Sequence, residues 1–348
     1  MDKRYFSKKV VKWYKVNYRD LPWRNTREPY RIWLSEIILQ QTRVSQGLPY
    51  YERFVEKYPT VGALAKAPEQ EILRLWQGLG YYSRARNLHK CAKKIVEELA
   101  GVFPDTFEGL RQLPGIGDYT AAAIASIAHR QPVAVVDGNV FRVLARIFGI
   151  ATPINSGEGK KKFTELANEL IDKKAPDTHN QAMMEFGALF CTPKNPLCLE
   201  CDFKPSCEAF RGNLQYVLPV KLKSKKSQQR YFNYYVVKKG NSFAMKKREE
   251  KDIWHGLYDF VLEESDQLLK AHSNATALPQ KLAGKEIAVS KTYKHILSHQ
   301  TIYARFILID APAKIKLPEG VEFYSTTQIA ELPKPVLISR FLADSDLL

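Results

Sequence analysis

A glycine-containing turn between two helix-sized segments is the feature that most constrains this chain. The turn, Leu-Pro-Gly-Ile-Gly, occupies residues 113–117 and is followed by a run of small residues at 120–128. Gly115 and Gly117 allow the backbone to turn sharply and leave N–H groups uncovered at the start of the next helix, where the helix dipole favours anions. The turn therefore predicts a phosphate-binding hairpin, although a helix–helix turn also needs glycine for steric reasons alone.

The charge balance predicts an anionic partner. Among 348 residues, 53 Lys and Arg outnumber 37 Asp and Glu, and nucleic acid is the commonest polyanion that such a surface binds. The length is sufficient for two or three domains, each with its own core. The sequence shows no apolar leader and no apolar run of roughly 18 residues, so we expect a soluble cytoplasmic protein without a membrane segment.

Four of the five cysteines crowd into one short stretch. Cys191, Cys198, Cys201 and Cys207 are separated by six, two and five residues. Four thiolates in a compact loop predict either a zinc site or an iron–sulfur cluster. Zinc sites usually have two close cysteine pairs and this stretch has one, so we favour a four-iron cluster. The fifth cysteine, Cys91, is expected to be a small core residue.

One glutamate stands on a predicted helix, at 30–44, without a basic partner. Glu36 is flanked at helical spacing by apolar residues such as Trp33 and Leu39, with no Lys or Arg among them. Burial beside these side chains would raise its pKa and keep a proton available near neutral pH, as a general acid requires. The alternative is a glutamate at a helix edge whose carboxylate reaches water.

A second carboxylate follows a short apolar run. Asp137 lies in Val-Val-Asp-Gly-Asn, at the N-cap of a helix predicted over 138–148, and an N-cap aspartate needs no chemical role. Helix N–H groups at this position are expected to lower its pKa. An acid and a fixed anion are what glycosidic cleavage requires, because one protonates the leaving group and the other stabilises the oxocarbenium-like sugar.

Two further segments carry groups that suit DNA. Gln41 and Thr42, predicted to continue the helix of Glu36, offer amide and hydroxyl groups that read base edges or phosphates, although such residues are commonly only solvated. The turn at 78–86 presents Tyr81 and Tyr82 among arginines. One of these rings could wedge into a base stack, and packing into the core is an equal alternative.

The second half of the chain changes character. Residues 211–230 predict a linker, because 221–230 contains five basic residues and no acidic one. Beyond it, β-branched and aromatic residues alternate in part and predict an α+β domain with an antiparallel sheet. The segments with this pattern are 231–238, 242–246, 288–293 and 301–309.

With these pieces assembled, residues 1–210 resemble the helix-hairpin-helix DNA glycosylases that carry an iron–sulfur cluster. The matching segments are 35–42, 78–86, 113–121 and 135–140, together with the cysteine spacing. Within that superfamily the chain is similar to the MutY-type adenine glycosylases. The resemblance implies a mostly helical catalytic domain at 1–210 with a cluster loop at 191–207. It also implies an α+β Nudix-like lesion-recognition domain at 231–348, since 254–260 and 295–299 are similar to the family's C-terminal domain.

The same resemblance implies an adenine-specific DNA N-glycosylase of base excision repair. Such an enzyme hydrolyses the N-glycosidic bond of adenine paired with 8-oxoguanine or guanine in duplex DNA, after flipping the nucleotide out of the helix. The cofactor would be a [4Fe–4S] cluster and the partner double-stranded DNA with that mispair. We would further expect a monomer of bacterial type that lies on the nucleoid when it is bound to DNA.

The resemblance also assigns roles to individual residues. Glu36 would protonate the adenine N7, and Asp137 would stabilise the sugar cation or trap it covalently. Tyr119 and Asn139 would assist at the sugar, and Gln181 would face the adenine. Tyr81 and Gln41 would enter the base stack near the oxidised guanine, and Ser298 would hydrogen-bond it. Thr42, Gly115 and Gly117 are candidate DNA contacts from the residue pattern alone.

The chain differs from related families at three points. Endonuclease III-like enzymes hold a lysine where this chain has Tyr119, and a lysine can form a Schiff base with the sugar, so we predict a monofunctional enzyme unless another lysine supplies weak nicking. Residues 231–348 lack the Gly-x5-Glu-x7-Arg-Glu-x2-Glu-Glu box, which argues against a pyrophosphatase, and Leu297 stands where phenylalanine is expected.

Two alternative functions stay open. The first is a thymine or oxidised-pyrimidine glycosylase, and the second is a catalytically silent DNA-binding or redox-sensing protein. Binding alone would need neither Glu36 nor Asp137.

Overall fold

The structure is a computed structural model and describes residues 3–223, 227–268, 285–312, 314–345 and 347. It divides into two compact units. The first comprises Met1–Lys66 with Asn87–Lys223, and the second comprises Ala67–Arg86 with Ser224–Leu348. Within the described part of the chain, we find no helix with both the length and the apolar character needed to cross a bilayer.

Helices account for most of residues 3–211. In chain order they are α1 Lys3–Asn17, α2 Pro29–Leu39, α3 Val44–Lys57, α4 Val61–Lys66, α5 Glu69–Leu75, α6 Tyr82–Glu98, α7 Phe107–Arg111, α8 Asp118–His129, α9 Gly138–Phe148, α10 Gly157–Leu170, α11 Pro176–Leu189 and α12 Glu208–Arg211. The helix predicted over 138–148 is confirmed, and the run of small residues at 120–128 lies within α8.

The helix predicted over 30–44 is shorter than expected. It begins at Pro29 and ends at Leu39, and Gln40 already has the non-helical ψ of 113°. Gln41 then adopts a left-handed backbone with φ of 57°. The expectation that Gln41 and Thr42 continue this helix was therefore wrong, because the backbone conformation at Gln40 and Gln41 ends it.

Helix α8 lies at the centre of the first unit. It contacts α2, α7 and α11, and its residues from Thr120 to Ile127 are all buried. Half of these side chains are alanines, and small side chains let neighbouring helix backbones approach closely. One core cluster of this unit packs α1, α9, α10 and α11 around Phe163 and Phe186. Asp137 precedes α9 directly, so this packing holds the helix that Asp137 caps.

The second unit contains a seven-stranded sheet among its described residues. Its strands are β1 Gln228–Lys239, β2 Ser242–Lys247, β3 Tyr258–Ser265, β4 Lys285–Val289, β5 Tyr293–Ile296, β6 Gln300–Asp310 and β7 Val321–Ser325. The strand order is β4-β6-β1-β3-β2-β7, and β5 also pairs with β6.

The sheet is mixed, so the prediction of an antiparallel sheet was wrong. Strands β1 and β6 run parallel along their whole length, from Gln228↔Gln300 to Lys238↔Asp310, while the other pairs are antiparallel. Side-chain alternation has the same period in both arrangements, so it cannot report strand direction. Strand β1 also begins inside the predicted linker, of which residues 224–226 lie outside the described residues.

Two helices, α13 Thr326–Glu331 and α14 Val336–Asp344, complete the second unit. Phe341 of α14 stacks on Phe306 of β6 with ring centroids 3.9 Å apart and an angle of 6° between the planes. Both rings are buried. This contact fixes α14 against one face of the sheet.

Candidate active site

Glu36 lies on the buried helix α2 and is only 8% exposed. The hydroxyl of Tyr119 donates a hydrogen bond of 2.5 Å to its Oε2 atom. Burial raises the pKa of Glu36 to about 7, and the charge of Asp137 acts in the same direction, while the Tyr119 hydrogen bond and the charge of Arg24 oppose it. A large fraction of this carboxyl group therefore holds a proton near neutral pH, in agreement with the predicted direction of the shift.

Asp137 caps helix α9, as predicted. Its Oδ1 accepts the Val140 N–H at 2.7 Å, and its Oδ2 accepts the Asn139 side-chain amide at 2.7 Å. The predicted lowering of its pKa was wrong, because burial raises the pKa of Asp137 more than these hydrogen bonds and Arg142 lower it. The charge of Asp137 adds to the rise in the pKa of Glu36, which reaches about 7, so Glu36 is the carboxyl group of the pair that is suited to hold a proton.

Tyr119 contacts Glu36 directly and lies close enough to Asp137 to be affected by its charge. It is the second residue of α8, and its hydroxyl lies 3.6 Å from the Met184 sulfur as well as 2.5 Å from Glu36. Burial raises the pKa of Tyr119 far above its ordinary value, and the neighbouring carboxylates Glu36 and Asp137 add to the shift. The phenol therefore remains a hydrogen-bond donor throughout the physiological pH range.

A chain of hydrogen bonds runs from Asp137 to the cysteine loop through Arg142, a residue that the sequence analysis missed. The guanidinium Nη2 of Arg142 donates to Asn139 Oδ1 at 2.9 Å and to the Gly187 carbonyl at 2.7 Å, and Nε donates to the Cys191 carbonyl at 2.8 Å. Arg142 is almost fully buried. The signal in the sequence was an arginine within the otherwise apolar pattern of α9.

A cavity of about 330 Å³ in the first unit is lined by polar side chains that include Gln181, Tyr14 and Arg24. The Tyr14 hydroxyl donates to Gln181 Oε1 at 3.0 Å. Glu36 is not among the lining residues, but Arg24 both lines the cavity and acts on the Glu36 charge. The volume lies in the range of pockets that enclose small organic groups.

Arg24 is held by a buried carboxylate that the sequence analysis also missed. Glu185 is 1% exposed and accepts two hydrogen bonds from Arg24, at 2.8 and 2.7 Å, and further bonds from Arg19. Burial alone would raise the pKa of Glu185, but the bonds to Arg24 and Arg19 outweigh it and lower that pKa to about 2. Its partners lie about 160 residues away in the chain, so local patterns could not have revealed the pair.

The predicted hairpin forms between α7 and α8. Leu113 and Ile116 are buried, whereas Gly115 and Gly117 face solvent. Gly115 has φ of 77°, and a Cβ there would lie 2.7 Å from the Cβ of Asn87, so conformation and space both require glycine. The first N–H groups of α8 lie at this exposed turn. Gln41 is likewise exposed in the turn between α2 and α3, and Thr42 beside it is half-buried.

The two tyrosines of the 78–86 turn have different environments. Tyr82 is buried, while Tyr81 is 44% exposed. The Tyr81 hydroxyl contacts the hydroxyl of Ser298, which lies exposed between β5 and β6. Two residues more than two hundred positions apart, both predicted to contact the oxidised guanine, are thereby in direct contact within the second unit.

All four predicted cluster cysteines line one largely apolar cavity, together with Phe186, Phe190 and Arg146 among others. Arg146 is 3% exposed and donates to the carbonyl of Thr192 at 2.7 Å and to the Cys191 sulfur at 3.5 Å. Burial raises the pKa of Cys201 to about 12, with the neighbouring thiols adding to the shift, so this thiol needs a cation beside it to ionise. Cys91 lies apart from them in the core.

The four cysteines around this cavity can be compared with the ligand set of an iron–sulfur cluster. Across the residues that the structure describes, no three His, Cys, Asp or Glu side chains are close enough to hold a single ion. Four thiolates spread around one apolar cavity are the ligand set of a [4Fe–4S] cluster, in which each iron takes one cysteine. The residues present therefore fit this group.

Known families match both halves of the chain. The HhH-GPD superfamily of base excision DNA repair proteins matches residues 34–173, and the NUDIX domain matches residues 233–344. A solved thermostable thymine-DNA glycosylase is 30% identical, with a TM-score of 0.57 over 60% of this chain and 97% of that chain. A trapped endonuclease III–DNA covalent intermediate, 23% identical with a TM-score of 0.53, has the same fold over 62% of this chain and 99% of that chain. The chain thus combines a domain of the HhH-GPD superfamily of base excision DNA repair proteins with a Nudix domain.

The chain belongs to the adenine DNA glycosylase family. The adenine DNA glycosylase of Buchnera aphidicola subsp. Schizaphis graminum is 34% identical, over 95% of this chain and 96% of that protein. The mouse adenine DNA glycosylase is 46% identical over 215 residues. This chain spans 42% of the length of the mouse protein and 41% of that of the rat protein.

Proposed function

We propose that this protein hydrolyses the N-glycosidic bond of adenine paired with 8-oxoguanine or guanine in double-stranded DNA, as a monofunctional enzyme acting as a monomer. The observation that carries the proposal is the buried Glu36, whose pKa is raised to about 7, which is hydrogen-bonded to Tyr119 and close enough to Asp137 to be affected by its charge. Membership of the adenine DNA glycosylase family names the base. Glycosidic cleavage is the chemistry that an acid beside an anion performs best.

The proposed reaction begins with the adenine flipped out of the duplex, with Gln181 facing it from the cavity wall. Glu36 donates its proton to N7, so the bonding electron pair of the glycosidic bond leaves with a neutral base. Asp137 stabilises the cationic sugar, and Asn139 keeps the Asp137 carboxylate in position through its 2.7 Å hydrogen bond. One water then supplies hydroxide to the sugar, and its proton restores the carboxyl group of Glu36.

The monofunctional outcome follows from the residue at position 119. A glycosylase that also cleaves the strand needs an amine to form a Schiff base with the opened sugar. The phenol of Tyr119 offers no such nucleophile, and its raised pKa keeps it neutral. Tyr119 is instead proposed to hold the Glu36 carboxyl group in place.

The remaining predicted residues are proposed to contact the DNA outside the adenine. The exposed N–H groups of Gly115 and Gly117 would bind a backbone phosphate at the start of α8. Tyr81 and Gln41 would enter the base stack near the oxidised guanine, with Thr42 beside them, and Ser298 would hydrogen-bond the lesion. Support for this grouping comes from the contact between the Tyr81 and Ser298 hydroxyls.

We further propose that Cys191, Cys198, Cys201 and Cys207 hold a [4Fe–4S] cluster. Such a cluster would supply redox chemistry and fold the loop at 191–207 around itself. Arg142 and Arg146 hold the backbone of that loop through its carbonyls. Purified protein is expected to contain about four irons and four sulfides per chain, and Cys198→Ser is expected to lower both. Full retention of iron by that variant would contradict the assignment.

We retain as a proposal the division into a catalytic domain at 1–210, a basic linker at 211–230 and a lesion-recognition domain at 231–348. The boundary between the two compact units falls between residues 223 and 224, inside that linker. Residues 67–86 belong to the second unit. A role of 67–86 in lesion recognition would account for that grouping.

The decisive experiment is single-turnover excision on a duplex with one adenine opposite 8-oxoguanine, analysed with and without alkali. We expect strand breaks only after alkali, because base loss alone leaves an intact backbone. Breaks without alkali would place the protein among the lyases. Excision of thymine opposite guanine, with adenine left intact, would instead assign it the activity named for the thymine-DNA glycosylase structure.

Glu36→Gln is the matched variant for the acid. It keeps the size of the side chain and its position on α2 but cannot donate a carboxyl proton. We expect binding of the mismatched duplex to persist and the excision rate to fall by about 10²- to 10⁴-fold. Excision at the wild-type rate would overturn the assignment of Glu36.

A further inference from the structure

The turn that follows α5 is held by the side chain of Gln77. Its Oε1 accepts a hydrogen bond from the Lys334 backbone N–H at 3.3 Å, and its Nε2 donates to Ser339 Oγ at 3.1 Å. All three residues belong to the second unit. Because one amide makes both bonds, its position and the plane of its side chain are fixed together.

The segment that receives Gln77 is itself anchored. Lys334 is 4% exposed, and its ammonium group donates to the carbonyls of Ile329, Ala330 and Leu332 at 2.6, 3.2 and 3.1 Å. These carbonyls lie at the C-terminus of α13, where helical partners are missing and a cation is favourable. The Lys334 carbonyl also accepts a hydrogen bond from the buried Tyr82 hydroxyl at 3.4 Å.

The turn beside Gln77 has an unusual backbone. Gly78 and Gly80 have φ of 104° and 70°, and Tyr81 has φ of 46°, a region that residues other than glycine rarely occupy. Such a conformation is strained and persists only where the surroundings impose it. One restraint is the Trp76 indole N–H, which donates to the Gly80 carbonyl at 3.0 Å. The two bonds of Gln77 hold the other end of the turn.

We propose that Gln77 is a positioning residue for lesion recognition, which fixes the 78–81 turn so that the Tyr81 ring stands against Ser298. The inference rests on the proposed function, in which Tyr81 and Ser298 contact 8-oxoguanine. Gln77 acts through Tyr81 and is assigned no contact with a base. Its loss therefore affects the distinction between 8-oxoguanine and guanine rather than the cleavage of the glycosidic bond.

The test compares Gln77→Ala in the full-length, cluster-loaded protein on two duplexes, with adenine opposite 8-oxoguanine and adenine opposite guanine. We expect the single-turnover rate to fall about tenfold on the first duplex and less than about twofold on the second, as the loss of one or two positioning hydrogen bonds allows. A 2-aminopurine next to the 8-oxoguanine gives a second readout, because its fluorescence rises when the Tyr81 ring unstacks it. That rise should be lost in Gln77→Ala.

Gln70→Ala is the matched control. Gln70 is a glutamine of the same segment, on α5, and its amide donates to the Tyr258 hydroxyl at 2.9 Å instead of holding the turn. The Gln70→Ala variant should leave both single-turnover rates and the fluorescence rise unchanged. Ser339→Ala removes one of the two bonds from the opposite side, so it should reproduce part of the Gln77→Ala effect and decides the question if Gln77→Ala fails to fold.

The inference would be overturned if the ratio of the two rates stayed unchanged in Gln77→Ala and Ser339→Ala. It would also be overturned if the rates fell equally on both duplexes while the fluorescence rise stayed intact. Failure of the proposed function looks different, because the wild-type protein would then excise adenine from neither duplex. In that case the 2-aminopurine signal on binding, compared between wild-type protein and Gln77→Ala, still decides whether Gln77 positions Tyr81.

Discussion

At the scale of single residues, the site depends on which of two nearby carboxyl groups holds the proton. Glu36 and Asp137 both have raised pKa values, yet they differ in their hydrogen bonds. Asp137 accepts bonds from the start of α9, which stabilise its charged form, whereas Glu36 accepts one bond from Tyr119. The acid and the anion are thus distinguished by local donors rather than by opposite effects of burial.

This difference predicts the pH dependence of excision. In the proposed mechanism the active form has Glu36 protonated, so the single-turnover rate should fall as the pH rises through about 7, the pKa of Glu36. The Tyr119 hydrogen bond lowers that pKa, because it favours the charged carboxylate. In Tyr119→Phe the pKa should rise and the falling limb of the profile should move to higher pH.

The measurement is the single-turnover rate from pH 5 to 9, a range of about two units on either side of that pKa. Tyr82→Phe is the control, since the Tyr82 hydroxyl belongs to the second unit and contacts the Lys334 carbonyl. A limb that stays in place in Tyr119→Phe, or that moves to lower pH, would show that Tyr119 does not tune Glu36.

At the scale of elements, the close approach of α9 and α11 positions Asn139. A Cβ added at Gly187 of α11 would lie 2.6 Å from the Cβ of Asn139 and 3.0 Å from its carbonyl oxygen. The Gly187 carbonyl also accepts a hydrogen bond from Arg142. The two helices therefore meet at the residue that holds Asp137, and glycine is the only residue that the space allows.

Gly187→Ala is expected to destabilise the first unit by about 1 to 3 kcal/mol, because the added methyl group forces the two helices apart. Excision should slow as well, since Asn139 would shift relative to Asp137. The matched control is Gly157→Ala, another helical glycine, at the start of α10, where a Cβ would meet no atom within 4 Å. Urea unfolding and single-turnover rates check both variants, and equal stabilities for the two would refute the steric argument.

At the scale of the whole molecule, the excess of positive charge bears on DNA binding. The formal net charge is +16 at pH 7, and the basic linker contributes Lys221 and Lys223, which are both exposed. Each lysine that neutralises a phosphate releases a counterion, so the affinity falls with salt at a slope of about −0.9 per contact. The proposed contact of the linker with phosphates is therefore measurable as a slope.

Replacing Lys221 and Lys223 together by alanine should make the slope of log affinity against log salt shallower by about two. The control replaces Lys160 and Lys161, two exposed lysines of α10, and removes the same charge from the same unit. Fluorescence anisotropy with a labelled duplex between 50 and 200 mM salt gives both slopes, a range over which such contacts are readily resolved. Equal changes in the two double variants would mean that net charge, and not the linker, sets the salt dependence.

Much of this protein was determined by its sequence alone. The hairpin needs Gly115 at a positive φ, α9 needs an N-cap at Asp137, and four cysteines at close spacing need a shared partner, because each requirement is satisfied by residues near one another in the chain. Those local rules located α8, α9, the cysteine loop and both candidate carboxyl groups.

Only the tertiary structure decided what depends on packing between distant segments. Four findings depend on residues far apart in sequence. They are the direction in which the pKa of Asp137 shifts, the buried pair of Arg24 and Glu185, the parallel pairing of β1 with β6, and the placement of Tyr81 against Ser298. Burial and hydrogen bonds between distant segments arise only when these segments pack together, so no local sequence pattern could encode them.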